Sequence, residues 1–209
     1  MFQLYTGKDW GFRPDLQTWY SVTVRITGGI WRSRRLNGPS RNSLVRPTPD
    51  SMRERAFQVL GPEVVDAAFL DLFAGTGSVG LEALSRGASR AVFVEEHPAA
   101  ARLVRRNVSQ FVEARGQTKV LCLSAIAAIA RMARAGEIFD IAWADPPFPV
   151  WKTGTQALAA AFAQGVIRPD GIACLECPER ADIGDLPEGL NVERELGGGA
   201  SRVLILSWS

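Results

Sequence analysis

Histidine occurs once in these 209 residues, at His97, and cysteine three times. So small a stock of metal-binding and proton-handling side chains narrows the chemistry. Cys174-x-x-Cys177 has a metal or redox spacing, but it falls inside a predicted strand, where residues three apart point to opposite faces. No second pair completes a zinc set, so no metal site is expected. Cys122 reads as a small core residue. His97 follows Glu95-Glu96 in a turn before a predicted helix, which suits a surface position. No serine or cysteine nucleophile signature accompanies it. Long apolar runs are also missing, and none approaches the ~18 residues that span a bilayer. The chain does not open with a basic stretch and an apolar core, so no secretory signal is expected and the cytoplasm is the default compartment. Internal repeats and low-complexity tracts are absent.

What is present suits a globular α/β chain, with 46% hydrophobic and 22% charged residues. The formal net charge of +2 hides an asymmetry. Residues 1–60 hold ten Lys and Arg against four Asp and Glu, and the remainder holds fourteen against eighteen. The early excess lies in Arg25, Arg32, Arg34, Arg35, Arg41, Arg46, Arg53 and Arg55, interrupted by Gly, Ser, Asn and Pro and joined by Trp31. Basic loops with an aromatic residue track a phosphate backbone. The alternative is a solvated charged face.

Hydrophobic periodicity divides the chain into an N-terminal extension (1–20), a basic segment (21–61) and an α/β domain (62–209). Ser21 to Trp31 reads as a small hairpin turning at Gly28-Gly29. Thr48 is placed to cap a helix with Pro49 at its first position. Met52, Ala56, Val59 and Leu60 then share one face, leaving Arg53 and Arg55 elsewhere. Strands are expected at 68–73, 90–95, 118–123, 138–144 and 171–176, and helices at 78–86, 98–112, 124–135 and 153–164. This alternation implies a parallel sheet with helices on both faces. Asn191–Leu196 and Ser201–Trp208 flank Gly197-Gly198-Gly199 as a closing hairpin.

Two segments carry chemistry. Asp145-Pro146-Pro147-Phe148 ends an apolar run, and each proline fixes φ and lacks an N–H. A carboxylate beside outward carbonyls makes an acceptor-only nest for an exocyclic amino group on a nucleobase. Phe148 offers a face on which an extruded base would stack. An ordinary strand-ending turn is the plainer reading of such a sequence. The second segment, Asp71-Leu72-Phe73-Ala74-Gly75-Thr76-Gly77-Ser78-Val79-Gly80, matches a dinucleotide fingerprint in Gly75, Gly77 and Gly80. Glu95 ends the next apolar run 20 residues after Gly75, where a ribose-binding acid belongs. Glu96 is its rival. A carboxylate at Asp71, four residues before the first glycine, has no use opposite a pyrophosphate. It suits S-adenosylmethionine, which carries an ammonium and a sulfonium but no phosphate.

Arg25-Ile26-Thr27-Gly28-Gly29, Arg46-Pro47-Thr48, the Asp71–Gly77 loop and Asp145–Phe148 occur in that order. Over roughly residues 22–208 the chain resembles the RsmD family, methyltransferases that modify a guanine amino group of 16S ribosomal RNA. The resemblance implies a Rossmann-like class I methyltransferase fold, with a mostly parallel seven-stranded sheet and a C-terminal antiparallel hairpin. It implies S-adenosylmethionine held by Asp71, Phe73, Ala74, Gly75, Thr76, Gly77, Glu95, Ser124 and Ala125. Ser124 departs from the Asn or Asp usual there. Asp145, Pro146 and Phe148 become the catalytic set. Arg25, Arg32, Arg34, Arg35, Arg46, Thr48 and Arg53 are expected to face 16S rRNA or a small-subunit particle, with Arg46 and Thr48 at the mouth of the site, the cofactor as the alternative for Arg53, and the protein acting as a monomer. Two other readings stay open at this point. One is an amino-methyltransferase of adenine or cytosine in another nucleic acid, and the other is an RNA-binding assembly factor without turnover.

Overall fold

The computed structural model describes residues 24–38 and 50–209. The expected extension, Arg41, Arg46 and the Thr48-Pro49 cap lie outside the described residues. Helices are α1 (Asp50–Leu60), α2 (Ser78–Ser85), α3 (Pro98–Val108), α4 (Ala125–Arg134) and α5 (Lys152–Ala163). Strands are β1 (Ala68–Asp71), β2 (Arg90–Val94), β3 (Thr118–Leu121), β4 (Phe139–Ala144), β5 (Ile167–Pro178), β6 (Leu190–Gly198) and β7 (Ser201–Trp208). They form one sheet in the order β3-β2-β1-β4-β5-β7-β6. The first five pair in parallel, and β7 pairs antiparallel to both β5 and β6.

The inner strands are buried on both faces, so they read as continuous apolar runs rather than alternating ones. Phe69, Leu70, Phe93, Val94, Ala142 and Trp143 are all fully buried. Alternation sends Phe69, Phe93 and Trp143 to one side and Leu70, Val94 and Ala142 to the other. α4 shows the ordinary helix solution: Ala128, Ile129 and Met132 are buried while Arg131 and Arg134 end the helix. α2 does not. Every residue from Ser78 to Ser85 is buried, because the basic segment and α1 cover the side turned away from the sheet.

Several expectations change. The N-terminal hairpin is shifted: its arms are Val24–Thr27 and Ser33–Leu36, bridged at Arg25 and Arg35, with Gly29–Trp31 as a single 3-10 turn. Gly28 and Gly29 serve close approach to α2. A Cβ on Gly28 would lie 2.2 Å from Arg86 Nη2, and one on Gly29 would lie 1.8 Å from the Ser85 carbonyl. α3 stops at Val108 rather than 112, where Ser109 donates its hydroxyl to the Arg106 carbonyl and Phe111 turns in against Trp31, ring centroids 4.5 Å apart. β5 starts before the Pro169-Asp170-Gly171 turn signal and passes through it, with a register shift against β4. Cys122 is exposed, one residue past β3, and is not a core residue. Cys174 and Cys177 are buried in opposite layers of the sheet, as their spacing implied.

Candidate active site

β1 and β4 are neighbours, and the connection leaving β1 runs to β2 while that leaving β4 runs to β5, in opposite directions along the sheet. That switch point is where open α/β sheets form a ligand crevice. Register brings the three acidic residues there. Asp71 pairs with Phe93 on one side and Trp143 on the other. Glu95 and Asp145 each stand two residues beyond those partners. Two residues preserve the face of a strand, so Asp71 shares the Phe69 side of β1, while Glu95 and Asp145 each follow directly on the last residue of β2 and β4.

Asp71 is buried, and its Oδ2 accepts from the Gly80 amide at 3.2 Å. Its Oδ1 has no hydrogen-bond partner among the described residues. Burial pushes the carboxyl up to about 7; the Gly80 amide lowers it in part, the Glu95 charge raises it further and the Phe73 amide offsets a little of that. A buried carboxylate oxygen without a donor is costly and fits a cationic partner from outside the chain.

Glu95 is the acid that the loop uses. Its Oε2 accepts from the Gly75 amide at 2.9 Å and its Oε1 from the His97 amide at 2.9 Å. Glu96 and His97 are exposed. Gly75 and Gly77 hold φ of +54° and +78°, which only glycine adopts cheaply, and Gly77 precedes α2. Gly80 has another reason: a Cβ there would meet the Phe93 ring at 2.4 Å. Ala74 donates to the Val94 carbonyl at 2.9 Å, seating the loop across β2 with Phe73 half-buried beside it. Thr76 is buried. Ser124 caps α4, accepting from the Ala127 amide at 3.4 Å, and Ala125 opens that helix.

Asp145 and Phe148 are half-buried past the end of β4, and Pro146 is buried. A Cβ on Gly154 would lie 2.9 Å from Pro146 Cγ, so glycine lets α5 close against the proline. The Pro147 carbonyl accepts from the Val150 amide at 2.9 Å, fixing the turn that carries Phe148.

The basic residues divide. Arg25, Arg32 and Arg35 are exposed, and Arg25 and Arg35 stand directly opposite each other on the two arms. Arg25 pairs with Asp50 at 3.1 Å. Arg34 lies over the Phe111 ring at 4.2 Å and donates to the Gln110 carbonyl at 2.6 Å, so it fastens the arm to the end of α3. Arg53 corrects the helix-face expectation. It is fully buried, paired with Asp50 at 2.8 Å and Glu82 at 3.4 Å, and it donates to the Arg25 carbonyl. Burial withdraws its guanidinium from RNA and makes it a strut. Arg46 and Thr48 lie outside the described residues.

Glu82 is the residue sequence reading passed over. Its carboxylate accepts from the Thr27 amide at 2.7 Å, the Thr27 hydroxyl at 2.8 Å, Arg86 at 2.8 Å and Arg53. The Ser85 hydroxyl donates to the Gly28 carbonyl at 2.6 Å and accepts from the Trp31 amide at 2.9 Å. The Thr27-Gly28-Gly29 stretch is therefore a clasp onto α2. A signal existed, since a lone charge in the otherwise apolar stretch Val79–Leu84 can stay buried only with partners.

This sheet order, with acids at the carboxyl ends of β1, β2 and β4, is the Rossmann-like methyltransferase fold. Residues 24–207 match the family described as Conserved hypothetical protein 95, and the chain belongs to that family, the RsmD family of the motif resemblance. Ribosomal RNA small subunit methyltransferase D of Escherichia coli (strain K12) is 40% identical over 128 residues, 61% of this chain and 62% of that protein. The chain thus spans about three fifths of the length of that relative. The protein of the same name from Haemophilus influenzae is 32% identical over 154 residues, 73% of this chain and 78% of the relative. The solved structure of yhhF from Escherichia coli matches with a TM-score of 0.74 at 29% identity, covering 90% of this chain and 98% of that one. Among the described residues no helix is long and apolar enough to cross a membrane.

Proposed function

We propose that the protein transfers a methyl group from S-adenosylmethionine to the exocyclic amino group of a guanine in 16S ribosomal RNA. The observation that carries the proposal is the buried, donor-less Oδ1 of Asp71 one strand away from Asp145-Pro146-Pro147-Phe148. A cationic ligand would supply the charge that Asp71 lacks, and Glu95 would accept from ribose hydroxyls. Ser124 and Ala125 would border the adenine. When bound, S-adenosylmethionine supplies an electrophilic methyl.

The chain's own residues prepare the amine. A guanine amino nitrogen is a weak nucleophile because its lone pair is delocalised into the ring. Asp145 and the Pro146 carbonyl would accept its hydrogens, which favours a pyramidal nitrogen with an available lone pair. Phe148 would hold the extruded base by stacking. The nitrogen would form one bond to the methyl carbon as that carbon's bond to sulfur breaks, the electron pair staying on the departing S-adenosylhomocysteine, and a proton would leave toward Asp145 or solvent. Arg25, Arg32 and Arg35 would contact phosphates. The names of the curated relatives favour ribosomal RNA over DNA as the substrate. Intact Asp71, Glu95 and Asp145 favour an enzyme over an assembly factor. Mass mapping of modified nucleosides in 16S rRNA from a deletion strain, with and without the restored gene, tests the reading. One N2-methylguanosine should vanish and return. An unchanged nucleoside profile overturns it.

A further inference from the structure

Asn107 is fully buried in the last turn of α3, and every position of its amide is used. Oδ1 accepts from the Asn37 amide at 2.8 Å, the Asn37 side chain at 2.9 Å and Gln110 at 3.0 Å. Nδ2 donates to the Asn37 carbonyl at 3.0 Å and to the Thr76 carbonyl at 2.8 Å. A saturated amide has one orientation, and reversing it would turn its Thr76 and Asn37 carbonyl contacts into acceptor–acceptor contacts. Its two ends serve different parts of the molecule. Thr76 lies between Gly75 and Gly77, the two left-handed residues of the loop, whose other side is held by Glu95. Asn37 lies two residues after Arg35, on the arm that Arg34 fastens to Gln110 and Phe111.

We propose that Asn107 is a positioning residue for the glycine loop, through which RNA held by the basic arm tightens binding of the methyl donor. The proposal rests on the reading above. Its physical content is a shared rigid element. Fixing the arm fixes Asn37, Asn37 fixes the Asn107 amide, and the amide fixes the Thr76 carbonyl and the turn beside Asp71. RNA then removes part of the ordering that the cofactor would otherwise impose on the loop, so the two ligands bind cooperatively, and by linkage the effect is reciprocal.

The test is calorimetry of S-adenosylhomocysteine with the full chain, alone and with saturating protein-free 16S rRNA transcript. In the wild type the transcript should tighten binding by a factor in the range of about 5 to 150. Asn107→Asp keeps an acceptor for the Asn37 N–H groups and Gln110 but places an acceptor against both the Thr76 and the Asn37 carbonyls. It should weaken binding about ten-fold without RNA and reduce the RNA effect to under about two-fold. Equal weakening with and without RNA would mean a structural role alone and would overturn the coupling. A measurement on the wild type does not depend on the variant folding: RNA without cofactor should slow hydrogen exchange at the Gly75 and Gly77 amides, and unchanged exchange overturns the proposal. Failure of the wild type to bind S-adenosylhomocysteine at all would instead overturn the methyl-donor reading.

Discussion

Affinity for S-adenosylmethionine should rise with pH, and Asp71 should set the midpoint. Burial holds its carboxyl at about 7, far above the ordinary carboxylate range. The folded protein therefore keeps a proton that the unfolded chain has already released. Asp71 contributes a loss of stability as pH climbs from the ordinary range to about 7, because a buried charge must form there. A cationic ligand reverses the preference, since it interacts with the ionised form and expels the proton. With a midpoint near 7, the ionised fraction is roughly three quarters at about pH 7.5 and roughly 3% at about pH 5.5, so the apparent Kd should weaken by about 25-fold over that span. Asp71→Asn should hold affinity near the low-pH value and flatten the profile. Calorimetry at constant ionic strength, in buffers of different ionisation enthalpy, reads both the affinity and the released proton. A flat wild-type profile, or an equal slope in the Asn variant, would refute the assignment of Asp71 to the cation.

Asp145→Asn keeps one acceptor but takes up a proton far less readily; turnover should fall at least ~100-fold with cofactor affinity unchanged, as single-turnover assays with labelled methyl donor would reveal. Replacing Arg25 and Arg35 with Ala should lower the log–log salt slope of RNA binding by ~0.7–0.9 per lost phosphate contact, and an unaltered slope would identify the pair as a solvated face. Gly29→Ala combines a φ of +73° with a Cβ 1.8 Å from a backbone carbonyl; urea unfolding should show a loss of roughly 2–4 kcal/mol.

The parallel core was legible because strands buried on both faces leave an apolar signature that needs no tertiary information. Phe69–Asp71, Ala91–Val94 and Ile141–Ala144 each end on or just before an acid, but it is the crossover placing β4 beside β1 that sets all three side by side. Element ends were less legible. β5 runs through Pro169-Asp170-Gly171 because a bulge against β4 absorbs the turn signal, and no local pattern distinguishes a bulge from a break. Cys122 misled for a similar reason: it lies inside the apolar run Val120–Leu123, yet the residue after β3 already stands on the exposed rim.

The basic segment shows most clearly where charge counting stops being informative. Eight arginines in one stretch of sequence invited a single role, but the described members do at least two jobs. Arg53 is neutralised inside the protein by Asp50 and Glu82, and Arg34 is spent on Phe111, Gln110 and Glu113. Arg25 and Arg35 remain in solvent. The distinction follows from α2. A helix buried on every side needs a cover, and Glu82 at its centre dictates that the cover bring a cation and two donors. Arg53 and the Thr27 amide and hydroxyl answer that need, joined by Arg86 from the end of α2 itself, with Gly28 and Gly29 granting the approach. The same cover carries Arg25 and Arg35 outward and delivers Asn37 to Asn107. Breaking a buried pair such as Arg53–Glu82 by removing one partner costs about 3–5 kcal/mol, so the clasp is strong enough to hold the outer arginines against the sheet domain. The arginines paired inside the protein are thus the ones that fix where RNA would be touched.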